Sequence, residues 1–321
     1  DPDAYLAISE TLSTERVYGL TTADGEVVPT AFRPPLYPYV LSCLSPEKRP
    51  PPGVIVLFHA LLAGVTAAMT FLSCTLLIGC SSRLLPSILA AILVTVDPIL
   101  VQQSTQIMTE TLAATIASVV IYWWIRNFSG TRFLLFAGGL GSLLSLAFLC
   151  RPTFVVWAGM LIGGIAVLPR PSSQTLSMRL QAAAVASIML ALVIGCWTMR
   201  NAIRVGAPVW ATTHGGYTLL LGNNPLYYQH LKDNGALKRW DAEPFLRAYA
   251  HRYEGDPTTE PFWFKDWNFP VRAQPELSAS LSEPEDDRHS YEAAKSTIRR
   301  EPKMFAWACL VRVYRLWTPL P

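Results

Sequence analysis

Charge is what this sequence has least of. Asp, Glu, Lys and Arg make up 15% of its 321 residues and hydrophobic residues 51%. A soluble chain normally carries about 25% charge, so the deficit points to a membrane protein with wet loops. The charge that is present nearly balances, at a formal +3, too little to suggest a nucleic-acid partner. Cysteines stand singly at 43, 74, 80, 150, 196 and 309, mostly in apolar runs and never as C-x-x-C. That pattern suggests neither a zinc site nor a disulfide framework, and leaves small buried apolar residues. The apolar runs themselves are almost free of ionisable groups, His59 being the main exception, near one end of its run. Pumps and ion-coupled transporters usually keep such groups at mid-membrane and often show internal repeats; neither is seen here. No signal-peptide pattern occurs and the chain opens in a polar stretch without Met, so the expectation is a sequence truncated at its N-terminus and also at its C-terminus.

What is abundant is apolar sequence in long runs. A spanning helix needs roughly 20 mostly apolar residues, fewer inside a bundle. The runs 54–80, 84–97, 110–125, 133–150, 152–168 and 180–199 qualify as spans on that reading. The second is short, carries Pro86 near its start, and extends through "DPIL" as an irregular segment whose freed backbone groups need other helices or water. The loops between spans fall into two sets. "SSR", "RNFSGTR" and "PRPSSQTLSMR" hold Arg83, Arg126, Arg132, Arg170 and Arg179 and no acid, whereas residues 1–53 and the long 200–302 segment carry the acidic residues. The positive-inside rule places the arginine loops in the cytoplasm of an inner-membrane protein and both long loops at the periplasm or exterior. Four regions result: a first external loop at 1–53 with interfacial helices, a transmembrane bundle at 54–199, a large external loop at 200–302, and the start of a further interfacial or membrane helix at 303–321.

Polar chemistry concentrates on the outer face. In "DPDAYLAISETL", Asp1 caps a helix with Pro2 in its first turn and Asp3 facing the positive end of the dipole, or one of the two carboxylates does chemistry. Tyr5, Ile8 and Leu12 recur there at helical spacing. "RPPLYPYVLSCL" predicts a second, interfacial helix with Tyr37 and Tyr39 at headgroup level. In "QSTQIMTET", Thr109 caps a helix with Glu110 on its dipole, or Glu110 serves a site. Around His214, the segment with Gly215, Gly216 and Gly222 followed by Asn223, Asn224 and Pro225 predicts a turn, a short strand and another turn. Its glycine pair either lets a ligand approach the backbone or serves an ordinary hairpin. Residues 230–290 are expected to be a partly mobile loop excursion. From 290 a helix, a break at Pro302 and a second helix with Arg312, Arg315, Trp307, Tyr314 and Trp317 follow.

The order of these motifs, an acidic first-loop helix, "RPPLYP", "TET" at the start of a span, then "RN…GG…GNNP" and an I-x-x-x-P-x-x-F helix pair, resembles the lipid-linked-sugar glycosyltransferases of the GT-C fold. That branch contains the protein O-mannosyltransferases and the lipid A aminoarabinose transferase. The resemblance implies an all-α polytopic membrane protein, a GT-C-like helix bundle with amphipathic interfacial helices and a large external loop. It places the family's functional carboxylate at Asp1. Pro2 stands where the aminoarabinose branch has a paired Glu, and Phe32 replaces a further carboxylate, so that branch's substrate chemistry is not fully carried over. Arg33 takes the position of the family's Lys, which implies a contact to the donor phosphate through forked hydrogen bonds.

The implied reaction transfers a sugar from a polyprenyl-phosphate donor, with inversion, to a protein, lipid or glycan acceptor among membrane lipids. Such a site needs a carboxylate to take the acceptor proton and cations to stabilise the departing phosphate. Asp1 is the candidate base, Asp3 its reserve, and Glu110 a group that positions the acceptor or supports the base. Arg33, Arg151, Arg200 and His59 are candidate phosphate contacts, and His214, Gly215, Gly216 and Asn223 form a candidate substrate loop. Arg151 and Arg200 alternatively anchor helix ends at the headgroups, and the histidines alternatively serve structure. No cofactor is expected, a divalent metal on Asp1 and Asp3 being the open alternative. The rival readings are a polysaccharide ligase or polymerase and a non-enzymatic transporter.

Overall fold

The computed structural model describes residues 4–22, 24–45, 49–79, 83–128, 132–168, 175–250 and 282–316. The chain divides into two compact units, 1–212 and 213–321.

The first unit opens with α1 (Tyr5–Thr14), a hairpin of β1 (Gly19–Thr21) and β2 (Val27–Pro29), and α2 (Leu36–Leu44). The helix begins at Tyr5, with Ala4 at the cap position in the left-handed region (φ 59°) and no side-chain cap bond. Asp1, Pro2 and Asp3, with the capping roles expected of them, lie outside the described residues. The hairpin pairs Gly19 with Pro29, Leu20 with Val28 and Thr21 with Val27. It was not expected, although Asp24-Gly25 between two β-branched runs is a turn signal for it, Gly25 taking the φ of +85° that glycine tolerates.

Arg16 closes α1 at φ 57°, with the Val17 N–H reaching back to the Thr11 carbonyl. This is a left-handed helix end that favours glycine. Arg16→Gly is expected to stabilise the first unit by about 1 kcal/mol. A shift of the unfolding midpoint upward in detergent supports that expectation, and a downward shift contradicts it.

All six expected spans are helical. They are α3 (Pro52–Leu77), α4 (Leu84–Thr95) continued by α5 (Pro98–Ser104), α6 (Glu110–Asn127), α7 (Phe133–Cys150), α8 (Phe154–Val167) and α9 (Leu176–Arg204). Among them α3, α7 and α9 are long and apolar enough to cross a membrane, and a fourth is gained if α4 and α5, bent by 51°, count as one. The bend falls at the expected "DPIL": Asp97 caps α5 by accepting from the Ile99 and Leu100 N–H groups at 3.0 and 2.9 Å. The expected count of about six spans is thus met only in part. α8 is a shorter apolar helix of 14 residues. α6 carries Thr111 and Thr115 in its first two turns and buries them with Leu112, Ala113, Ile116 and Val120, while Glu110 at its start is partly exposed, so α6 belongs to the interior of the bundle.

Hydrogen bonds fix the up-and-down order. Near one end, His59 of α3 meets Ser104 of α5, and Arg151 after α7 meets Glu110 of α6. Further along, the Thr66 and Thr115 hydroxyls pair at 3.0 Å between α3 and α6. Toward the other end, the Trp123 indole donates to the Phe136 carbonyl, joining α6 to α7. α7 is the central helix, and a Cβ on its Gly141 would stand 2.9 Å from the Ala186 Cα, so α7 and α9 approach backbone to backbone. The outward apolar residues of α3, α4 and α9, among them Leu57, Leu61, Leu93 and Leu192, are left for lipid.

The second unit contains α10 (Gly215–Leu221), α11 (Pro225–Asn234), α12 (Glu243–Ala250), α13 (Glu283–Arg300) and α14 (Pro302–Leu316). Two expectations are corrected here. The predicted short strand after His214 is the helix α10, and the supposed loop 230–290 is helical at both ends; residues 251–281 lie outside the described residues. The "SEPEDDR" stretch begins α13, where the Glu285 carboxylate accepts from the Ser282 N–H and hydroxyl. The S-x-x-E spacing with Pro284 between is the capping-box signal for that start. The break at Pro302 stands as expected.

Candidate functional site

The site is assembled where α2 packs on α3 and α7. Arg151 follows α7 directly, and Glu110 opens α6, so two residues 41 apart in sequence meet at helix ends. The Arg151 Nη1 donates to Glu110 Oε1 at 2.8 Å, with side chains 42% and 22% exposed. Glu110 Oε2 is buried and has no hydrogen-bond partner among the described residues. Thr109 stands at the cap position of α6 without a side-chain cap bond; its carbonyl instead faces the Cys150 thiol at 3.8 Å. One carboxylate oxygen is thus fixed by a guanidinium and the other keeps its lone pairs for a donor.

Beside this pair, aromatic rings carry a line of contacts inward. The Arg33 guanidinium lies over the rings of Phe32 and Tyr5, 4.6 and 5.3 Å from their centroids. Tyr5 meets Tyr37 edge-to-face at 5.2 Å, and Tyr37 stacks on His59 at 5.9 Å. The Ser104 carbonyl lies 2.8 Å from His59 Nδ1, and because a carbonyl only accepts, that nitrogen carries the proton in the neutral ring. Nε2 then accepts the Tyr37 hydroxyl at 2.9 Å. Burial, then Tyr5, Glu110 and Cys150, pushes the Tyr37 hydroxyl above the usual phenol range, so it stays a donor. The expectation of Tyr37 at headgroup level is corrected: it is fully buried, while Tyr39 is half exposed. Two positions along a helix turn about 200°, so the two rings could not both face outward. Tyr5 and Tyr37 line the candidate site, a place that helical periodicity alone does not assign them.

Arg200 has another assignment. Its Nη1 donates to the Thr30 carbonyl and Asn201 Oδ1 at 2.6 and 2.9 Å, its Nη2 donates to the Tyr18 carbonyl at 2.6 Å, and it lies over the Tyr18 and Trp197 rings. It ties the hairpin to the end of α9, which accounts for its presence without a phosphate.

The expected substrate loop lies in the second unit and is spent on packing. A Cβ on Gly215 would strike the Tyr291 hydroxyl, and one on Gly216 the Asp287 carbonyl oxygen. The glycine pair therefore permits close approach of α13, neither a ligand nor a hairpin. The Gly216 N–H donates to Asp287 Oδ1 at 2.6 Å, and the Thr213 hydroxyl donates to Glu283. His214 stacks near Tyr217, 5.0 Å between centroids. Asn223 is buried, accepting from Tyr228 and Arg312 and donating to the Leu219 carbonyl, while Asn224 caps α11.

Burial raises the Asp287 carboxyl from 3.8 to about 6, against the Gly216 N–H and with Asp286 and Glu283 adding repulsion; Tyr291 also faces it. The folded form therefore holds the proton more tightly than the unfolded chain. This contribution to stability is greatest below about pH 4 and is lost as pH rises through 6. Allowing for solvent, the loss is about 1 kcal/mol. Asp287→Asn, which keeps an acceptor for Gly216, is expected to remove it. Hydrogen exchange in α10 between pH 4.5 and 7.5 measures this, and equal slopes in both proteins would refute it.

No protein-family model matches the chain, and no curated protein or solved structure was found similar to it. Its helices define the class: the described residues are predominantly helical, and three helices among them are long and apolar enough to cross a membrane.

Proposed function

We propose that the chain is a polytopic membrane glycosyltransferase that moves a sugar from a polyprenyl-phosphate donor to an acceptor hydroxyl at the outer membrane face. The observation that carries this reading is the Glu110–Arg151 pair, held at helix ends with one carboxylate oxygen uncommitted. The neighbouring Tyr37–His59 pair holds the aromatic wall of this end of the bundle in place, and the Arg33 stack adds a cation. The GT-C-like order of motifs supports the same class.

In this mechanism the acceptor oxygen attacks the anomeric carbon as the bond to the phosphate oxygen breaks, and the electron pair leaves with the phosphate. The acceptor proton passes to a carboxylate, Asp1 with Asp3 in reserve, while Glu110 Oε2 accepts a hydrogen bond that orients the acceptor. Arg33 and the remaining N–H groups of Arg151 stabilise the charge growing on the phosphate.

The test is turnover of polyprenyl-phosphate sugars by the full chain in proteoliposomes, with Asp1→Asn, Glu110→Gln and Arg33→Ala. Loss of transfer in Glu110→Gln with the fold intact supports the site; undiminished transfer in all three removes it. A second reading, a transporter, draws on the break between α4 and α5 at Asp97. Solute uptake by the same proteoliposomes without sugar transfer would select it.

A further inference from the structure

The second unit carries an apolar stripe that its own core leaves uncovered. One face of α14, with Phe305, Ala308 and Val311, packs on Tyr227, Tyr228 and Leu231. Another face exposes Trp307, Leu310, Val313 and Tyr314, a continuous row at helical spacing. Leu237, 85% exposed, extends the row at its far end, because Arg315 Nη2 donates to the Ala236 and Lys238 carbonyls on either side of it.

Charge frames the stripe. Arg299 is exposed in the last turn of α13 and Lys303 in the first turn of α14, with Lys238 and Arg239 beside the far end of α14. The nearby Glu301 is neutralised by Lys232 at 2.5 Å. Arg312 and Arg315 are held by Asn223 and by backbone carbonyls of the unit, so α14 is fastened along the unit. An apolar row with a tryptophan and a tyrosine, flanked by cations at both ends, suits the interface plane of an anionic bilayer. Among the described residues, three helices are already long and apolar enough to cross a membrane.

We propose that α14 lies flat in the lipid–water interface and seats the second unit on anionic phospholipid, with Trp307, Leu310, Val313 and Tyr314 immersed and Lys303 and Lys238 at headgroup level. This reading stands apart from the proposed transferase activity.

The test places a diazirine-bearing amino acid at 307, 310, 311 or 314 of the full chain in nanodiscs of phosphatidylcholine, with and without phosphatidylglycerol. After irradiation, phospholipid adducts are expected at 307, 310 and 314 and not at 311. Position 311 should instead cross-link to peptides around Tyr228, which reports that the unit is folded. The adduct yield at 310 is expected to rise about fivefold with phosphatidylglycerol, and Arg299→Glu with Lys303→Glu should remove the rise. Cross-links from 310 to this chain or to a second copy, solvent-quenched product alone, or a yield indifferent to anionic lipid would overturn the proposal.

Discussion

Arg151→Ala is expected to lower sugar transfer about 10²–10³-fold, the usual cost of removing one preorganised donor from a developing anion. Its geometric effect is larger than the loss of one charge. The Glu110 carboxylate loses its 2.8 Å partner while its second oxygen already has none among the described residues. A partly buried carboxylate left in that state either takes up a proton or draws in water, and in both cases stops orienting an acceptor. The stability cost is smaller, about 1–2 kcal/mol, because the pair is far from fully buried. Turnover and unfolding should therefore separate: transfer collapses while the unfolding midpoint moves modestly. Adding Glu110→Gln to Arg151→Ala should restore most of the stability and none of the activity. Equal turnover in Arg151→Ala and the unaltered chain would reject the site.

The largest expected effect on the second unit comes from one methyl group. In Gly216→Ala the new Cβ would overlap the Asp287 backbone carbonyl and stand 2.9 Å from its Oδ1. Backbone on both sides leaves nothing to rotate away, so α10 and α13 must separate or shift. We expect a loss of about 3 kcal/mol, the upper range for overpacking. Gly215→Ala meets only the outer end of the Tyr291 side chain, its hydroxyl and the adjoining ring carbons, which can swing, and should cost less. Proteolysis across α10 and α13 measures the difference, and similar protection in Gly216→Ala and the unaltered chain contradicts it.

How much of this was legible in the sequence depends on the range of the interaction. Apolar runs marked the long apolar helices because burial in lipid or core acts on every residue of a run. The bend at Asp97-Pro98 was legible because proline forbids a continuous ladder there and aspartate caps the restart. The Glu110–Arg151 pair was not, although both residues were candidates, because nothing local couples positions brought together only by the packing of α6 on α7. The hairpin at Asp24-Gly25 had a local signal that the acidic character of the first loop overshadowed. Gly215 and Gly216 misled because glycine reports only that something comes close, and here it is a neighbouring helix.

The clasp made by Arg200 also has a consequence in time. It joins residue 200 to the carbonyls of residues 18 and 30, across 182 and 170 positions. At a synthesis rate of about 5–20 residues per second, the first loop waits roughly 10–40 s between leaving the ribosome and meeting its fastener. Every helix from α3 to α9 is synthesised in that interval. The hairpin and its flanking helices are thus the earliest part of the unit to be made and among the last to be secured.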